Sequence, residues 1–60
     1  MKIMVVDDSA FARKRLSRVL TAAGFSVVEA ENGRVALERF AEARPDVVTV
    51  DLLMPEMGWS

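Results

Sequence analysis

The sequence predicts a parallel α/β unit of order β-α-β-α-β, and three observations carry that prediction. Ile3-Met4-Val5-Val6 and Val47-Val48-Thr49-Val50 are continuous runs without a regular apolar/polar alternation. Strands buried on both faces of a parallel sheet read this way. Segments of helical period lie between the strand-like runs. The two intervening stretches, residues 9–24 and 31–46, each exceed the roughly twelve residues that a parallel crossover needs.

The first strand ends at Asp7-Asp8-Ser9, whose side-chain oxygens can accept the free N–H groups of a following helix. From Ala10 to Ala23 the pattern is helical. Ala12, Leu16, Val19, Leu20 and Ala23 share one face, which predicts water on Arg13, Lys14, Ser17, Arg18 and Thr21. Gly24 stops the helix. Phe25–Ala30 is a second strand. Ser26 and Glu29 interrupt its apolar character and mark it as an edge strand. Asn32 caps a second helix whose apolar face is Ala36, Leu37, Phe40 and Ala41. Pro45 ends it and pushes Arg44 away from helical angles. Val47–Val50 is the third strand. Leu52 to Met57 forms a loop in which Pro55 bars a ladder bond.

Composition narrows the function. Sixty residues is about half a usual domain, and no linker or repeat divides them. The net charge is −1, which argues against a nucleic-acid footprint. With no Cys and no His, disulfides, zinc sites and every mechanism needing those side chains are excluded. The 52% apolar content is too high for a disordered tail. No apolar run reaches the length of about 18 residues that spans a membrane, and the start is too short for a secretory leader. The expectation is a soluble, cytoplasmic chain.

Three carboxylates stand at strand ends: Asp7 and Asp8 after the first strand, Asp51 after the third. If those two strands are neighbours, the three converge at the carboxyl edge, where open α/β sheets bind ligands. Converging carboxylates repel one another unless a cation sits among them. Oxygen-only donors suit a hard ion, Mg²⁺ above others. Each residue alone has an ordinary reading as well, Asp7-Asp8-Ser9 as helix capping and Asp51 as a turn residue.

These residues also resemble a known family. The Asp7-Asp8 pair, Glu29-Ala30-Glu31-Asn32-Gly33, Pro45-Asp46, and Asp51-Leu52-Leu53-Met54-Pro55 are similar to the receiver domain of two-component response regulators, closest to the single-domain chemotaxis type. The likeness covers residues 2–57. It implies half of a flavodoxin-like doubly wound fold with parallel strand order 2-1-3. By position it makes Asp51 the phosphoacceptor, Asp8 a direct Mg²⁺ ligand, Asp7 a ligand acting mainly through water, and the Leu53 backbone carbonyl a further ligand. A histidine kinase or a small phosphodonor would be the partner.

The chain departs from the family pattern twice. It stops after the third strand, whereas receivers continue through a fourth strand ending in Ser or Thr and a fifth ending in Lys. Residues 1–57 therefore read as the N-terminal half of a receiver, not expected to complete phosphotransfer or switching alone. Receivers also carry Asp-Gly after the second Met of the loop. Here Gly58-Trp59-Ser60 follows Met57 directly and looks like an appended tail. A stand-alone enzyme is not expected. A phosphohydrolase with a strand-end Asp nucleophile would need a second Asp at position 53, which is Leu.

The third strand, Val47–Val50, belongs in the middle of a complete sheet, and here nothing covers its outer edge. Self-association through that edge follows, as a two-fold homodimer of order 2-1-3-3′-1′-2′ joined antiparallel. An alternative function is then purely structural: a self-assembling half-fold without biochemical activity.

Overall fold

A computed structural model describes residues 1–51; the expected loop 52–57, the Leu53 carbonyl and the tail 58–60 lie outside the described residues. The elements are β1 (Lys2–Asp7), α1 (Ala10–Ala22), β2 (Ser26–Ala30), α2 (Gly33–Ala43) and β3 (Val47–Asp51). The strands form one parallel sheet in the order β2-β1-β3. Ile3 pairs with Val27 on one side and Val47 on the other, and the register continues to Val6 between Ala30 and Val50. This is the expected half of a flavodoxin-like fold.

The sheet order explains where the helices go. The first crossover steps from β1 to β2, and the second steps back over β1 to β3. With the same right-handed sense, opposite steps place their helices on opposite faces. Side chains show that outcome. Glu29 meets α1, whereas Val28 and Ala30, on the other side of the pleat, pack with Met4, Val6, Val35 and Ala36 beneath α2. β1 is enclosed by both strands and both helices, so Ile3, Met4, Val5 and Val6 are all buried.

Local chemistry sets the helix ends. Ser9 Oγ accepts the Ala12 N–H at 3.2 Å, and Asn32 Oδ1 accepts the Val35 N–H at 2.9 Å. Gly24 follows α1 at φ +98°, where a side chain would be strained. Arg44 closes α2 in the left-handed region, and its N–H donates to the Phe40 carbonyl. Lys2 latches this end to the sheet: its Nζ donates to the Ala43 carbonyl and its backbone N–H to Asp46 Oδ2, both at 2.8 Å.

The helix faces differ from the pattern the sequence suggests. On α1, Arg13 and Ser17 turn inward beside Ala12, Leu16 and Leu20, while Val19 is 60% exposed and Ala23 is also outside. On α2, Val35 and Ala36 form the inner contact, whereas Leu37 is 75% exposed and Phe40 and Ala41 also face out. The reason is coverage. α1 packs on β1 and β2, α2 packs on β2 and β1, and neither helix reaches β3. Periodicity shows which side chains could be buried; the width of the sheet decides which are. β3 consequently keeps Val47, Val48 and Val50 substantially exposed.

Met4, fully buried at the centre of β1, carries the core. Met4→Ala is expected to cost about 2–5 kcal/mol, enough to abolish cooperative unfolding in so small a chain. A circular-dichroism melt with an unchanged midpoint would refute the central role of β1.

Candidate functional site

The carboxyl edge of the sheet is built by register. Asp7 and Asp51 are Cα partners at the last rung of the β1–β3 ladder. Neighbouring parallel strands run about 4.8 Å apart, and partners in register share a face. The two carboxylates therefore leave the sheet side by side, on the face that α1 covers further down. Asp8 follows one residue beyond, exposed, on the turn into α1.

Asp7 is buried, and its Oδ1 accepts the Ser9 N–H at 2.9 Å. Its carboxylate thus shapes the turn that carries Asp8. Asp51 is exposed. The structure brings Asp7 and Asp51 together, places Asp8 next to them in sequence, and does not describe Leu53. Among the described residues, no three Asp, Glu, His or Cys side chains are gathered into a ready metal-holding group. Of the three expected carboxylates, Asp7 and Asp51 are register partners and Asp8 is the next residue in the chain. Their donor chemistry still suits a hard divalent cation, because every side-chain donor is a carboxylate oxygen.

A second polar cluster underlies this edge. Arg13 Nη1 donates to the Asp7 carbonyl at 2.7 Å, and its Nε donates to Glu29 Oε1 at 3.2 Å. Lys14 Nζ also lies 3.2 Å from Glu29 Oε1. Burial pushes the Glu29 carboxyl up, but hydrogen bonding from Lys14, Ser17 and Arg13 and the charge of Lys14 outweigh it, so the net shift is downward. The buried Ser17 hydroxyl faces this carboxylate without completing a bond of strict geometry.

Sequence reasoning assigned Arg13 to solvent and read Glu29 only as an edge-strand marker. The pattern did hold a clue. An acid inside an apolar strand needs a cation if its strand is covered, and the covering helix carries Arg13-Lys14-Arg15.

Comparison with known proteins agrees with this architecture. The response regulator receiver domain model matches residues 3–58. Chemotaxis protein CheY of Thermotoga maritima is 49% identical over 58 residues, covering 95% of this chain and 48% of that protein. CheY of Bacillus subtilis is 51% identical over 57 residues, covering 93% and 48%. A protein-glutamate methylesterase/protein-glutamine glutaminase of Archaeoglobus fulgidus is 50% identical over 58 residues, 17% of its own length. The chain spans about half the length of the CheY relatives it matches.

The lowered Glu29 carboxyl sets a pH dependence. Its stabilisation is fully present above the ordinary value of 4.5 and is lost as pH falls through the lower folded-state value. Glu29→Gln removes that titration. Between about pH 5 and pH 3 the denaturant midpoint should fall less steeply in the variant than in the wild type. Parallel acid limbs would show that Glu29 is not ionised against Arg13 and Lys14.

Proposed function

We propose that this chain, which belongs to the response regulator receiver domain family, carries the phosphoryl-accepting edge of a receiver. The observation that supports it is the in-register pairing of Asp7 with Asp51 at the carboxyl edge of neighbouring parallel strands. Asp51, exposed at the end of β3, is the acceptor. Its carboxylate oxygen forms the new bond to phosphorus as the bond between phosphorus and the donor's leaving atom breaks, giving an acyl phosphate. Asp8, Asp51 and the Leu53 carbonyl are the direct protein ligands of Mg²⁺, and Asp7 acts mainly through a bound water. When bound, that ion neutralises charge on the transferring phosphoryl oxygens. Asp7 is held by Ser9 and so fixes the turn, which leaves Asp8 and Asp51 as the more accessible carboxylates. A histidine kinase or a small phosphodonor is the donor in this reading, and the cytoplasm is the compartment. Among the described residues, no helix is long and apolar enough to cross a membrane.

A second reading concerns assembly. The faces of β3 leave Val47, Val48 and Val50 exposed, and a strand with apolar faces and an open hydrogen-bonding edge is a template for pairing. A second copy covers it in a two-fold homodimer, β3 against β3. An antiparallel join keeps the two acidic edges at opposite ends. In the purely structural form of this reading, the half-fold assembles and has no biochemical activity.

Two measurements test these readings. With chelator present, Asp51→Asn should raise stability by about 0.5–1 kcal/mol, because Asn relieves repulsion with the buried Asp7 and the exposed position of Asp51 keeps that repulsion screened by solvent. In about 20 mM Mg²⁺, well above the millimolar affinity that so few ligands provide, the ranking should reverse. Equal denaturant midpoints under both conditions would remove Asp51 from any shared site.

The assembly reading is read from mass. Wild type should sediment as a dimer at micromolar concentration. Val50→Lys, placed where the side chain is already 64% exposed, should yield a folded monomer. A well-folded wild-type monomer would end the dimer reading and leave the acidic edge untouched.

A further inference from the structure

Arg13 has two committed contacts and lies on the inner side of α1. Its Nη1 holds the Asp7 carbonyl at 2.7 Å, and its Nε holds Glu29 at 3.2 Å. The side chain is only 15% exposed. The Asp7 carbonyl belongs to the peptide that joins Asp7 to Asp8, so a bond to that oxygen fixes the plane from which Asp8 departs. The same turn is held from the other side, where the Ser9 N–H donates to Asp7 Oδ1 and Ser9 Oγ caps α1. Glu29 is the anchor. It stands on β2, whose partner across the ladder is Val5 of β1, so it ties the guanidinium to the rigid part of the sheet.

We propose that Arg13, anchored by Glu29, is a positioning residue for the acidic edge: it locks the Asp7–Asp8 peptide and so sets Asp8 relative to Asp51. This rests on the reading of that edge as an ion-binding, phosphoryl-accepting site. Arg suits the task because its planar fork presents two donors in fixed geometry, one for the carbonyl and one for the carboxylate. A lysine ammonium has three donors on one atom but no rigid fork to fix two separate partners in place. Lys14 is the internal comparison. It meets the same Glu29 carboxylate at 3.2 Å, and its side chain is 63% exposed. Of the two cations, Arg13 reaches both the Asp7 carbonyl and Glu29, whereas Lys14 reaches Glu29.

The test compares Arg13→Gln with Lys14→Gln in the 60-residue chain by two NMR measurements. The first is amide exchange at Ser9, whose N–H bonds to Asp7 Oδ1, recorded without metal. The second is a Mg²⁺ titration followed by amide shifts of residues 7–9 and 51. Arg13→Gln should speed Ser9 exchange about five- to tenfold and weaken Mg²⁺ about tenfold, the scale of one net intramolecular hydrogen bond. Lys14→Gln should change neither by more than about twofold. If Arg13→Gln does not fold, Arg13→Lys keeps the charge and the stem, and it should show the same loss at Ser9. Equal effects of Arg13 and Lys14 substitution on Ser9 exchange would overturn the proposal and leave a generic ion pair. Wild type without a Mg²⁺ response would defeat the ion-site reading alone, because Ser9 exchange still decides what Arg13 does.

Discussion

The structure depends on one constraint: β1 must be flanked on both edges and covered on both faces. Its four consecutive apolar residues have no other place to go. Parallel pairing on both sides requires two crossovers that step in opposite directions, and these put α1 and α2 on opposite faces. Parallel pairing in register also brings the ends of β1 and β3 level, which sets Asp7 beside Asp51. The candidate site is thus a consequence of how the core strand is enclosed. Among the described residues, neither helix packs on β3 in the same way.

Much of this was legible in the sequence, and the limit of legibility has a physical cause. The apolar runs Ile3–Val6 and Val47–Val50 declared parallel strands because neither alternates regularly. Asn32 and Gly24 declared helix boundaries through local backbone chemistry that needs no tertiary partner. The helix faces were less legible. Leu37 and Phe40 fit an apolar stripe, yet they face outward because α2 sits over β2 and β1. Ser17 and Arg13 read as wet, yet they face inward because Glu29 waits on the strand below. Periodicity describes a helix in isolation; burial belongs to the pair of surfaces that meet. The acidic edge was legible as residues and spacing. That Asp7 would be spent partly on Ser9 was not, because such a bond depends on the turn geometry.

The electrostatics of the site follow from placing like charges at one edge of a sheet. Asp7 and Asp51 stand level at the carboxyl ends of β1 and β3, with Asp8 next in sequence, and the neighbouring helix is positively charged. α1 carries Arg13, Lys14, Arg15 and Arg18 and no acid. Arg13 turns inward to the Asp7 carbonyl rather than to a carboxylate of the edge. That choice matters. A guanidinium bound directly to Asp7 or Asp51 would neutralise the site, whereas one bound to the backbone beneath it sets the geometry and leaves both carboxylates available. Glu29 completes the arrangement by balancing the half-buried cation, which would otherwise be costly.

The proposed acceptor sits on the least enclosed strand. β1 is buried from Ile3 to Asp7, but among the described residues β3 pairs on one edge only and neither helix packs on it. The local stability of Asp51 is therefore that of β3, at the low end for this chain. Anything that binds ordered β3 stabilises it by mass action, whether a cation at the acidic edge or a second copy along Val47–Val50. Two ligands that favour the same ordered strand must favour each other, and by the same factor in both directions. On the proposed readings, assembly and ion binding are then not separate properties of this half-sheet. Covering the open edge of β3 holds Asp51 level with Asp7, and holding Asp51 there by an ion presents the same edge for pairing. The coupling needs no contact between the two sites, only the strand they share.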